Sequence, residues 1–169
     1  MKPVVGHMTE PLVVDATKAQ LETVMRWLKK EALEEESGFY CNRSIIRNSF
    51  RNSEMKCLLI GRVVAGFAIF RLNTSYSAID ILEIRSGYRR NGYGKMFAGC
   101  LINMLFTQGA TRIVIECAPH SSEPFWRSLG FVDRKDNKHN MFGNPKLELS
   151  SWSNPSFERC SPEAGCTSI

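Results

Sequence analysis

The sequence predicts an α/β (α+β) fold: one mixed sheet flanked by helices. Three observations lead there. Helical apolar spacing (Leu21, Val24, Met25, Leu28, Ala32) gives way to short β-branched runs, which then alternate with a second apolar helix. Two such runs meet at the two-residue turn Gly61-Arg62, the mark of an antiparallel hairpin. The chain has 169 residues, enough for one domain, or for one domain and a short appendage. Hydrophobic residues make up 43% and charged residues 23%, which excludes wholesale disorder, collagen-like repeats and a coiled-coil rod.

The elements follow in order. Leu12 to Ala16 reads as a short strand. Thr17 and Gln20 form a T-x-x-Q capping box that opens the first helix. Its charged run, Lys29, Lys30, Glu31 and Glu34 to Glu36, reads as a solvated face, and Ser37-Gly38 stops it. Residues 39–55 fit a second short helix, with Arg43, Arg47 and Arg51 on one face. Strands are expected over 56–60, 63–72 and 78–84. The loop Arg85 to Gly94 then leads into an apolar helix ending near Gln108, with Gly109 as its C′ residue. Residues 112–117 form a further strand. Ser121-Ser122-Glu123-Pro124 starts a short helix, with Ser122 as its expected cap and Pro124 inside the first turn, and the helix stops at Gly130. Residues 131–133 and 146–149 are the last strands. The domain therefore spans 1–149, and the polar segment 150–169 reads as a tail, mobile or wrapped along the surface.

Composition narrows the setting. There are 22 Lys+Arg against 17 Asp+Glu, a net +5, which permits an anionic partner without naming one. No apolar run reaches the ~18–20 residues of a membrane helix, and the first residues lack a secretory h-region. None of the six cysteines shares a C-x-x-C spacing. Cys57, Cys100 and Cys117 read as reduced core thiols of a cytoplasmic protein, while Cys160 and Cys166 lie close enough in the tail to pair. His7, His120 and His139 make no metal-ligand spacing, so no metal is expected.

The chemistry concentrates at residues 85–95. This stretch holds Arg85, Arg89, Arg90 and Lys95, no acid, and two glycines, Gly92 and Gly94, between a buried strand and an apolar helix. Amides at a helix N-terminus are unpaired and the dipole there is positive, so an anion is favoured. Glycines let a phosphate approach the backbone, and guanidinium groups add charge-assisted hydrogen bonds. The turn reads as a pyrophosphate seat. It is neither a P-loop, lacking G-K-[ST], nor a dinucleotide fingerprint, lacking the third glycine.

Arg89-Arg90-Asn91-Gly92-Tyr93-Gly94 matches R-x-x-G-x-G, and with the strand before it resembles the acetyl-CoA signature of the GNAT superfamily of acyl-CoA-dependent N-acyltransferases. Pro124 to Phe131 is similar to that family's F-Y-x-x-x-G-F element, about thirty residues on. The resemblance covers residues 10–149. It implies a mostly antiparallel sheet, splayed at its central strands, and an acetyl or related acyl group passed from acyl-CoA to a primary amine of a small molecule or protein. It places acetyl-CoA as co-substrate against Leu82, Ile84, Arg89, Arg90, Asn91, Gly92, Tyr93, Gly94, Lys95, Ser122 and Trp126. The Ile84 backbone would pair with the pantetheine arm. It makes Glu83 the first choice of base, with Glu116 and His120 behind it. A monomer or a homodimer fits.

Two departures matter. Trp126 stands where the family has its Tyr acid, and an indole N–H donates a hydrogen bond but gives up no useful proton. Pro119 and Ser122 stand in place of the family's Asn-x-x-Ala. A catalytically silent acyl-CoA-binding module is therefore an alternative. An acetyltransferase acting on aminoacyl-tRNA is another, suggested by the basic segment Arg43, Arg47, Arg51 and Lys56.

Overall fold

A computed structural model describes residues 10–34, 39–73, 76–135 and 138–151. Seven strands form one sheet: β1 (Pro11–Asp15), β2 (Met55–Ile60), β3 (Val63–Leu72), β4 (Ser77–Ile84), β5 (Arg112–Glu116), β6 (Val132–Asp133) and β7 (Lys146–Ser150). Four α-helices accompany them: α1 (Lys18–Glu34), α2 (Arg43–Arg51), α3 (Tyr93–Thr107) and α4 (Glu123–Ser128). The sheet runs β1-β2-β3-β4-β5-β7-β6, so the last strand in sequence inserts between two earlier ones, an order the chain pattern alone does not predict.

The α1 capping box is present. The Thr17 N–H donates to Gln20 Oε1 (2.8 Å), and the Gln20 N–H donates to Thr17 Oγ1 (3.3 Å). The Gly61-Arg62 hairpin also forms, with Ile60 opposite Val63 and Gly61 at φ 61°. At the far end of α3, Gly109 takes φ 96° as the C′ residue.

Apolar residues on the two sheet faces fill two cores. On one face, α3 and α4 pack Phe97, Leu101, Ile102 and Trp126 against Ala65, Ala68 and Ile115. On the other, α1 and α2 pack Leu21, Val24, Leu28 and Ile46 against Cys57, Phe67 and Ile69. Trp27 meets Phe67 edge-on at 5.6 Å between ring centroids. Such a double-faced sheet buries its interior strands, and β3 is enclosed from Val64 through Phe70.

One junction departs from regular pairing. β4 and β5 are parallel and share only Ser77 with Ile113 and Ala78 with Val114. Beyond Ala78 the strands part, and among the described residues the β4 edge from Ile79 to Ile84 has no strand beside it on that side. A bulge between Ile69 and Phe70 of the β3 register leaves Asp80 as the extra residue of β4. Asp80 accepts two hydrogen bonds from Arg71, at 2.6 and 2.7 Å. The splay is thus part of the backbone itself.

Two expectations change. The charged end of α1 is not uniformly solvated: Glu31 is half-buried. Ser122 does not cap its helix; a 3₁₀ turn over His120–Ser122 precedes α4, and the Ser122 side chain makes no cap bond. The tail expected over 150–169 lies outside the described residues beyond position 151, as do Cys160, Cys166 and His7.

Candidate functional site

A cavity of about 660 Å³ opens where β4 and β5 part. Its floor is the free β4 edge, Leu82, Glu83 and Ile84. One end is the turn with Arg89, Arg90, Gly92, Gly94 and Lys95. One side is α4 and the segment before it, with Pro119, Ser122, Phe125 and Trp126. Glu31 of α1 and Phe39 complete the other end.

The turn is shaped for an anion. Gly92 is the residue before α3 and takes φ 79°, a left-handed conformation natural to glycine. Arg90, two residues earlier, takes φ 67°, which is strained for a side chain with a Cβ. Strained non-glycine backbone collects at functional sites. Left-handed residues in a turn help aim amides at an anion, and α3 adds its unpaired first-turn N–H groups and positive dipole. A Cβ at Gly94 would stand 3.7 Å from both Ile84 and Phe125, an ordinary contact, so nothing in the protein alone demands a glycine there. The open space beside it is what a ligand would use.

Gly66 works differently. A Cβ there would lie 2.7 Å from Ile84 Cδ1 and 2.8 Å from the Glu83 carbonyl oxygen. Only glycine lets β3 pass this close beneath the cavity floor.

Arg89 folds back onto that floor. Its Nη2 donates to Glu83 Oε1 at 2.6 Å, and its Nε donates to the Ile84 carbonyl at 2.7 Å. The Glu83 side chain is only 17% exposed. Charge-assisted hydrogen bonds of this kind contribute about 1.5–3 kcal/mol each in sheltered sites. Asn91 pins the turn from inside, donating to the Tyr88 and Arg89 carbonyls at 3.4 and 3.0 Å. Tyr93 packs against the α3 core. Neither Asn91 nor Tyr93 lines the cavity.

Trp126 is 6% exposed and sits edge-on between Phe125 (5.0 Å) and Phe131 (5.4 Å). It walls the cavity as a rigid apolar surface. Ser122 Oγ is enclosed beside the Cys117 thiol. Burial pushes that thiol up, more strongly than Ser122 lowers it. Behind α4, Arg127 donates to Glu123 (2.7 Å) and Asp133 (2.6 Å), and holds both carboxyls below their usual range.

The remaining expected acids and bases lie elsewhere. Glu116 faces a second cavity of about 290 Å³, with Arg71, Tyr76, Asp80 and Lys146. It accepts from Asn140 at 3.1 Å and pairs with Lys146 at 3.8 Å. His120 is 68% exposed and pairs with Glu123 at 2.9 Å. The basic segment is tied down internally. Arg47 pairs with Glu22 (3.1 Å), Lys56 with Asp15 (2.6 Å), Arg51 donates to Asn48 (3.0 Å), and Arg43 stacks 5.4 Å from the Tyr40 ring centre. None of the four lines either cavity.

Glu31 and Phe39 are the lining residues that the sequence pattern concealed. Glu31 sits inside a charge run, yet it falls three residues after Leu28 and seven after Val24, both fully buried. Helical phase, rather than charge, is the signal that finds it. Among the described residues no cluster of three or more His, Cys, Asp or Glu could hold a metal ion, and no helix is long and apolar enough to cross a membrane.

Comparison with known proteins agrees with this architecture. The acetyltransferase (GNAT) family model matches residues 21–131. No curated protein matches at a significant level. Among solved structures, N-acetylglutamate synthase from Neisseria gonorrhoeae, complexed with coenzyme A and N-acetyl-glutamate, superposes with a TM-score of 0.66 at 12% identity. The match covers 83% of this chain and 35% of that one, so this chain spans about a third of the synthase. The PaiA N-acetyltransferase from Thermoplasma acidophilum, in complex with coenzyme A, gives 0.66 at 14% identity, covering 83% and 99%. The ribosomal-protein-S18-alanine N-acetyltransferase from Escherichia coli gives 0.57 at 14%, covering 83% and 94%. With that family model matched over residues 21–131, well over half of its length, this chain belongs to the GNAT acetyltransferase family.

Proposed function

We propose that this protein transfers an acetyl group from acetyl-CoA to a primary amine by direct attack in a ternary complex. One observation carries the reading: a single cavity joins an anion-seating turn to an unpaired strand edge and then to two carboxylates. Each part answers to a part of the reaction. The coenzyme A complexes among the similar structures support the choice of co-substrate.

The residues present fit that co-substrate. Arg90, Lys95 and the α3 amides bind a pyrophosphate through charge and N–H donors. The free β4 edge at Leu82 and Ile84 offers backbone groups to a pantetheine arm, as a neighbouring strand would. Ser122 and Trp126 form the facing wall. Acetyl-CoA supplies the activated acyl carbon as a thioester. Glu83 takes a proton from the incoming ammonium, because only the neutral amine is a nucleophile. The C–N bond then forms as the C–S bond breaks. The second amine proton is lost to solvent, and the departing sulfur takes a proton from solvent. A thiol pKa of about 8.5 makes this tolerable without a Tyr acid. Arg89 keeps the Glu83 carboxylate in one orientation.

Cys57 and Cys117 are free thiols, which suits a reducing, cytoplasmic setting. The similar structures include enzymes named for an amino acid and for a ribosomal protein, so the amine library holds both small-molecule and peptide amines.

The test is direct. The protein is incubated with acetyl-CoA and a library of amines, and free CoA is followed. Release above the hydrolysis blank is expected. A folded, CoA-binding protein that releases none contradicts the reading. Trp126 favours one alternative, a silent acyl-CoA binder. In that case Trp126→Tyr creates activity that the wild type lacks, whereas an active wild type removes the alternative.

A further inference from the structure

Glu31 is the ionisable residue of this cavity whose enclosed oxygen, Oε1, is left without a hydrogen-bond partner among the described residues. A desolvated carboxylate oxygen without a donor is costly, and proteins seldom keep one unless a ligand completes it. The other carboxylate of the cavity, Glu83, is held by Arg89.

The charges around it define what would complete it. The cavity's cations are Arg89, Arg90 and Lys95. Arg89 is engaged by Glu83 and Ile84, and the other two belong to the pyrophosphate turn. The basic residues nearest in sequence to Phe39 all bind within the chain and line neither cavity. What faces the acceptor end is therefore a carboxylate and an aromatic ring, Glu31 and Phe39. A cation with N–H donors suits both, by charge-assisted hydrogen bond and by cation–π attraction. A carboxylate on the same molecule, one carbon from the amine, would meet Glu31 with no cation to offset it.

We propose that Glu31 binds the acceptor's ammonium and selects primary amines that carry no carboxylate beside the amine. The inference rests on the acetyl-transfer reading above and names the acceptor class for that site. Glu31 acts here in binding and selection, while Glu83 takes the proton.

The experiment uses two pairs of probes that differ by one carboxylate beside a single amine: phenethylamine against phenylalanine, and tyramine against tyrosine. Wild type is expected to prefer the decarboxylated member of a pair by about tenfold or more in kcat/KM. Glu31→Gln should raise the amine KM about 10- to 100-fold, the loss of one charge-assisted hydrogen bond, with a smaller change in kcat and unchanged CoA affinity. Glu31→Asp should recover part of that loss. Calorimetry of the same probes on CoA-loaded protein reads the contrast without turnover. Wild type that favours the carboxylated members, binds neither amine, or keeps its preference in Glu31→Gln overturns the inference. Wild type that binds the amines selectively yet releases no CoA overturns acetyl transfer and upholds the role of Glu31 in recognition.

Discussion

At one end of the cavity, residues 84–95 run without a break from strand to turn to helix. They present backbone amides, two positive φ angles and three cavity-lining cations, Arg89, Arg90 and Lys95. At the other end, Glu31, Phe39, Glu83 and Trp126 arrive from α1, a 3₁₀ turn, β4 and α4. The first end is built largely of main chain, and its chemistry follows from a short motif. The second is built of side chains brought together by the packing of both helical layers on the sheet. The first should tolerate change around it. The second should depend on the whole fold, because its residues are placed by both cores.

The largest expected effect breaks the first end alone. Replacing Arg90 and Lys95 together by alanine should weaken CoA about 100-fold or more, at ~1.5–3 kcal/mol for each charge-assisted contact. Calorimetry at fixed salt reads it. The amine KM should hold, and a parallel collapse of both would erase the distinction between the two ends.

Gly66→Ala tests the floor that the ends share. The added methyl would meet Ile84 and the Glu83 carbonyl below van der Waals distance. Overpacking of this kind costs about 1–3 kcal/mol, readable as a lower Tm. Both CoA and amine affinity should fall together, unlike the first variant.

A smaller effect concerns how α4 is held. Arg127 depresses the Glu123 and Asp133 carboxyls in the folded state. Their contribution to stability is present above the unfolded values near 4 and is lost as pH falls through the lower folded values. Arg127→Leu should therefore reduce Tm slightly at neutral pH, with the difference from wild type vanishing in acid. These groups are exposed, so the change is small. A Tm difference that grows toward low pH would contradict the assignment.

The smallest effect is chemical. Burial pushes the Cys57 thiol up to about 12, whereas Cys41 is exposed. Iodoacetamide at neutral pH should label Cys41 and leave Cys57 unmodified until the protein unfolds, as peptide mass mapping would read.

The same division explains what the sequence could reveal. The hairpin at Gly61-Arg62, the Thr17–Gln20 box and the turn at Gly92 each rest on contiguous residues with local physics, and all three stand in the structure. The Arg89 side chain does not follow its neighbours toward an anion, because the Glu83 carboxylate and Ile84 carbonyl lie within its reach once β4 is laid down. Glu31 looked solvated because its neighbours in sequence are charged; its neighbours in space are set by α1 packing on β3. Insertion of β7 between β5 and β6 likewise depends on pairing across the whole chain. Contacts between distant segments were the part that local pattern could not supply.

The most direct measurement of the central claim is a crystal structure of the protein with acetyl-CoA. The account predicts a pyrophosphate against the amides that follow Gly92, with Arg90 and Lys95 on it, and a pantetheine arm running along β4 beside Leu82 and Ile84. A pyrophosphate bound anywhere else, or an arm that leaves the β4 edge unpaired, would contradict it.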